Sequence, residues 1–120
     1  MGRLRRAAMW TCVIVLAVVF VLVGASKLRG PSAVRWSERF ARWGFPAHVH
    51  SVVGVLEILG GMGLLVPKSR RAAAAALLAI MVGALFTHLV HGEPFRLAAP
   101  LILGGMALLV TSWGARRPTT

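Results

Sequence analysis

Residues 51–66 read SVVGVLEILGGMGLLV, and the basic run Pro67-Lys68-Ser69-Arg70-Arg71 follows at once. This stretch decides the fold. A surface helix of a soluble protein carries one apolar stripe and one charged face, whereas this segment is apolar all round, as in a membrane span. Its one charge is Glu57. Gly54, Glu57 and Gly61 fall at i, i+3 and i+7, so the carboxyl shares a helix face with glycines. Glycine faces let two helices approach closely in lipid. Glu57 is therefore expected to point at another helix, not at lipid.

Three further stretches have the same character: about residues 7–27, 72–91 and 97–113. A bilayer core of about 30 Å takes about 20 helical residues. The segments 51–66 and 97–113 are short for this, which implies little tilt or a locally thin bilayer. Each must be helical, because backbone groups in lipid have to be satisfied within the segment. The expected fold class is an all-α membrane protein, a four-helix transmembrane bundle in one integral membrane domain over residues 1–120.

Composition agrees. Of 120 residues, 58% are hydrophobic and 14% charged, against roughly 25% charged in an average soluble domain. The formal net charge of +11 does not point to nucleic acid. The basic residues flank apolar spans and form no face of a soluble domain; next to spans, they meet anionic lipid headgroups. Cys12 is the only cysteine, which excludes an intramolecular disulfide or a CxxC redox pair. Arg3, Arg5 and Arg6 before an apolar run also suit a signal peptide, but the run is long enough to span and reads as a retained helix.

The connections differ in length. Residues 67–71 and 92–96 read as tight turns, while 29–50 form a long connection. Within it, Trp36, Phe40 and Trp43 fall at i, i+4 and i+7, and Arg35, Glu38, Arg39 and Arg42 take other faces. This predicts an amphipathic helix at about 33–43, lying in the interface between spans one and two. The alternative is a cap folded over the bundle with its aromatics inward. The Lys and Arg residues of both tails and of the short 67–71 turn place the two termini in the cytoplasm. Trp10 and Trp113 would then anchor the cytoplasmic interface, with Trp36, Phe40 and Trp43 as anchors at the other.

Lys27, Glu57, His88 and His91 are ionisable groups at or inside spans, where charge is costly and marks function. With this topology all four lie in the outer half of the membrane. Glu57 sits about 9 Å deep, and His88 about 4.5 Å below His91. They form the candidate polar pocket. Pairing of Lys27 with Glu57 would offset part of the cost of burying either; snorkelling of Lys27 to the headgroups is the alternative. Two histidines and one carboxylate could bind zinc or iron, but His88 and His91 at i+3 without an established third ligand are a weak metal signal, and no metal is assigned. His48 and His50 flank the start of the second span and read as solvated loop residues rather than as additions to the site. There is no nucleotide, hydrolase or c-type haem motif, and no catalytic residue is assigned.

Three segments carry a resemblance. Val23-Gly24-Ala25-Ser26-Lys27-Leu28, Gly54-Val55-Leu56-Glu57-Ile58-Leu59-Gly60-Gly61 and Met81-Val82-Gly83-Ala84-Leu85-Phe86-Thr87-His88 resemble, in this order, the spans of DoxX-like membrane proteins. The similarity covers about residues 12–112. It implies a four-helix protein of the bacterial cytoplasmic (inner) membrane, in a family some of whose members are linked to quinone-coupled sulfur oxidation, amine-dehydrogenase maturation or oxidative-stress complexes. By this resemblance Lys27 and Glu57 are the residues to carry forward. The leading expectation is an accessory subunit, not an enzyme on its own, in a redox or envelope-stress pathway. Its partners would be the lipid bilayer and a membrane or redox protein, a homo-oligomer being a further option. Quinone is the candidate cofactor, its carbonyls accepting from Lys27 or His88. A ligand-free assembly factor and a small proton-coupled transporter are the alternatives.

Overall fold

The computed structural model describes residues 2–115, which are helices and short connections throughout. Arg116 and Arg117, counted above for orientation, lie outside the described residues. Helix α1 spans Gly2–Ser26, α2 Gly30–Arg42, α3 Val49–Leu64, α4 Pro67–Val90 and α5 Ala98–Ala115, with a 3-10 turn at Pro94–Arg96 before α5. Three segments, Gly2–Ser26, Pro67–Val90 and Pro94–Trp113, are long and apolar enough to cross a membrane, and Val49–Leu64 is a shorter apolar helix. At 16 residues, α3 is about 24 Å long. Leu22, Leu59, Phe86 and Ile102 are among many large apolar side chains on the outer surface. A continuous apolar exterior of this kind suits lipid and not water. The protein is an all-α membrane bundle.

The segment 67–71 is not a turn. Pro67 opens α4, and the reversal from α3 is made by Leu65 and Val66 alone. Proline suits the first helical position, where its missing N–H has no partner to lose. The first turn of α4 also satisfies the end of α3. Ser69 Oγ donates to the Gly63 carbonyl at 2.8 Å and Arg70 Nε to the Leu64 carbonyl at 2.7 Å. A guanidinium at a helix C-terminus is favoured by the helix dipole as well.

Helix α1 packs on α3 and α4 on α5; α3 meets α4, and α1 meets α5 along a smaller seam. The α1–α3 crossing is the closest. A Cβ on Gly24 would lie 2.5 Å from the Gly54 carbonyl oxygen, and one on Gly54 2.8 Å from the Gly24 carbonyl oxygen. The glycine face read from the sequence is thus an α1 contact.

Packing is uneven along the bundle. The buried core of Val13, Leu16, Phe20, Leu64, Leu77 and Val110 gathers where α1 starts and α3 ends. Toward the other end a cavity opens between the helices, and Trp36, Arg39 and Phe40 of α2 line it. Helix α2 is the strongly amphipathic element. Its aromatic face turns toward the bundle: Phe40 is buried, and Trp36 Nε1 donates to Ser26 Oγ at 3.1 Å. The inward-facing cap is therefore the arrangement adopted by Trp36 and Phe40. Tertiary packing offers these rings more apolar contact than one bilayer face would.

Candidate functional site

The end of α1 places Lys27, and the third turn of α3 places Glu57. Lys27 Nζ donates to Glu57 Oε1 at 2.7 Å. Both residues are buried, at 4% and 2% exposure. Nζ also lies 4.1 Å from the centre of the Trp36 ring. The lysine therefore does not snorkel. Gly54 makes the contact attainable, because it lies one turn before Glu57 and lets the backbone at Lys27 come within reach; its missing Cβ would stand 2.9 Å from Lys27 Cβ.

This pair forms the floor of a cavity of about 670 Å³, within the usual range for small-molecule sites. Every helix contributes to its wall. Phe20, Val53, Ile80 and Leu103 make the apolar part, and Arg39, His88 and Arg96 add polar groups from α2, α4 and the 3-10 turn. Trp43 closes one side, with its ring 5.3 Å from that of His88.

His88 reaches the cavity, but its partner is Glu93, whose Oε1 lies 2.8 Å from His88 Nδ1. Trp43 Nε1 donates to Glu93 Oε2 at 3.5 Å. Hydrogen bonding by His88 is the leading cause and, with Trp43 and the nearby Arg96 charge, it holds the Glu93 carboxyl below its ordinary range against the opposing effect of desolvation. His91 does not join the pocket. Helix α4 ends at Val90, Gly92 turns the chain with φ of +66°, and His91 is exposed with Nδ1 2.8 Å from the Thr87 carbonyl oxygen. His48 is exposed, and His50 packs edge-on against Phe40.

The far end of the bundle carries the other two expected anchors. Trp10 and Trp113 flank the buried Arg70, whose guanidinium lies 4.5 and 5.7 Å from their ring centres. Sequence reasoning treated Arg70, Arg39 and Arg96 only as topology signals and passed over Glu93. The signal for Glu93 was present: it is one of three acidic residues, five positions past His88.

The profile of the DoxX-like family matches residues 11–111, nearly the whole described chain. The chain belongs to the DoxX-like family. No curated protein and no solved structure matches it. The three segments that carried the resemblance all line the DoxX-like cavity or its floor: Lys27 from the first, Glu57 from the second, Met81 and His88 from the third.

Chemically, the arrangement offers a buried ammonium–carboxylate pair, two guanidinium groups and a carboxylate-linked imidazole around an apolar chamber. It can hold an amphiphile whose oxygen-bearing head accepts hydrogen bonds.

Proposed function

We propose that this protein is an accessory subunit of a redox or envelope-stress system in the bacterial cytoplasmic membrane, with both termini in the cytoplasm, and that its cavity receives a quinone headgroup. The observation that carries the reading is the chamber itself. Its walls are apolar, and Lys27, Glu57 and His88 bring polar groups to it from the end of α1, from α3 and from α4. A quinone ring is flat, apolar on its faces and an acceptor at its two carbonyls. The faces suit walls such as Phe20 and Ile80. Lys27 Nζ, with a single carboxylate oxygen and the Trp36 ring as partners, retains donor capacity for one carbonyl. The groups that make the cavity polar are binding groups, and no nucleophile with an adjacent base is among them; this favours holding or relaying a quinone for a partner protein over catalysis by the chain alone.

The test uses the intrinsic tryptophans. Trp36 and Trp43 line the cavity, so a short-chain quinone titrated into the protein in lipid nanodiscs should quench them saturably. Ala84 also lines the wall, and Ala84→Phe should abolish the saturable component while leaving the helical circular dichroism unchanged. Quenching that is linear in quinone and equal in the parent and in Ala84→Phe would remove the reading.

A further inference from the structure

The rim of the cavity carries a second polar feature that a neutral quinone leaves unexplained. Arg39 Nε and Arg96 Nε are buried and make no hydrogen bond among the described residues. Each guanidinium lies near an aromatic ring, Arg39 at 4.6 Å from the centre of Trp36 and Arg96 at 5.4 Å from that of Phe95. Stacking occupies a face of the guanidinium and leaves its in-plane donors directed outward.

Neither arginine has a carboxylate within ion-pair distance. The two ion pairs formed among the described residues are Lys27–Glu57 and His88–Glu93. Glu93 stands nearby, but its oxygens are taken by His88 and Trp43. Arg39, from α2, and Arg96, from the 3-10 turn, both line the cavity. Burial and then the like charges of Arg96 and Arg42 bring the Arg39 guanidinium below its usual value, with the Glu93 charge acting in the opposite direction. A buried donor without an acceptor is costly, and two cations lining one cavity repel. One anion bridging them would relieve both.

We propose that Arg39 and Arg96 form an anion subsite at the cavity rim that takes the phosphate of an anionic phospholipid headgroup. Phosphate oxygens match the forked donors of arginine and can accept from two guanidinium groups at once. The level fits a lipid. The subsite lies under the amphipathic α2, at the end of the spans, where headgroups reside. Phe45 and Phe95 stand at the same rim with exposed rings, Phe95 at 75% exposure, and offer apolar surface to the start of the acyl chains. The assignment uses the rim and not the Lys27–Glu57 floor, so it stands apart from the quinone reading.

Native mass spectrometry of the full chain, released from micelles doped equally with phosphatidylglycerol and phosphatidylcholine, tests it. The parent should retain one phosphatidylglycerol in preference to phosphatidylcholine. Arg39→Gln with Arg96→Gln should weaken retention by at least about tenfold, since each charge-assisted hydrogen bond contributes more than one decade. Arg29→Gln with Arg35→Gln removes the same charge from exposed positions and should leave retention unchanged. Arg39→Lys with Arg96→Lys keeps the charge without the fork and should fall between. If the glutamine pair does not fold, the lysine pair and the parent's lipid preference still decide. Equal retention of the two lipids by the parent, or equal loss in both glutamine pairs, would overturn the subsite. Thermal protection of the parent by millimolar inorganic phosphate in pure phosphatidylcholine, without a phosphatidylglycerol preference, would overturn the lipid as its source and assign the subsite to a soluble phosphate.

Discussion

Replacing Glu57 by glutamine tests whether the ion pair at the cavity floor acts as a unit. At 2.7 Å, two unit charges attract by about 6 kcal/mol at an effective dielectric of about 20. Desolvation costs several kcal/mol for each ion and offsets most of this. The intact pair is therefore near neutral for stability, and a broken one is not: removal of one partner from a buried pair costs about 3–5 kcal/mol. Glu57→Gln leaves the buried Lys27 ammonium with the Trp36 face, 4.1 Å away, which offsets at most about 2 kcal/mol. Lys27→Met leaves the carboxylate with no cation at that distance. Each single variant should lose about 3 kcal/mol, and the double variant should lose no more than either. The coupling is then about 3 kcal/mol, the top of the range for contacting residues. Reversible unfolding in mixed micelles titrated with dodecyl sulfate measures all four proteins. Losses that add within about 0.5 kcal/mol would refute the reasoning. The double variant should also fail to bind quinone; parent-like binding would reduce the pair to packing.

Gly24→Val places carbon 2.5 Å from a backbone carbonyl oxygen and should cost at least the about 1–3 kcal/mol typical of overpacking, while Gly105→Ala, with nothing within 4 Å, should be neutral or slightly stabilising in the same unfolding assay. The Glu93 carboxyl is depressed by its bond to His88, so its contribution is present above the unfolded value of about 4.3 and is lost as pH falls through the lower folded value. Amide exchange at residues 91–97 should accelerate over that window, and a flat profile would exclude the link. Single cysteines in a Cys12→Ala background test orientation. An impermeant thiol reagent should label Gly92→Cys and not Thr119→Cys in intact cells, and the reverse would invert the bundle.

The parts of this structure legible in the sequence are those that helical periodicity encodes. A carboxylate on a glycine face had to meet another helix, and the spacing of Gly54, Glu57 and Gly61 shows that face directly. The lysine at the end of the first span was its natural partner. His91 was misplaced because one residue decides it: the helix stops at Val90, and a left-handed Gly92 takes the chain away. Arg39, Arg70 and Arg96 were hidden for another reason. Arginines flanking spans serve topology whether or not they also turn inward, and only the tertiary arrangement separates the two. The cavity itself depends on how all five helices come together in space, which no local pattern records.

The uneven packing of the bundle distributes its cohesion over two kinds of contact. Most of the buried apolar core lies away from the cavity, with Phe20 and Met81 belonging to both, while the Gly24–Gly54 approach and the Lys27–Glu57 pair hold α1 to α3 beside the cavity itself. Ala84 and Phe95 line the cavity outside the Leu16, Leu64 and Leu77 core, so substitutions there reshape the chamber without removing a core side chain, whereas Lys27 and Glu57 serve the fold as well. Helix α2 makes close backbone contact only with α1 and α3 among the described residues, and these two are clamped to each other at Gly24 and Gly54, so the part of the cavity wall with the fewest ties to its neighbours is the strap of α2.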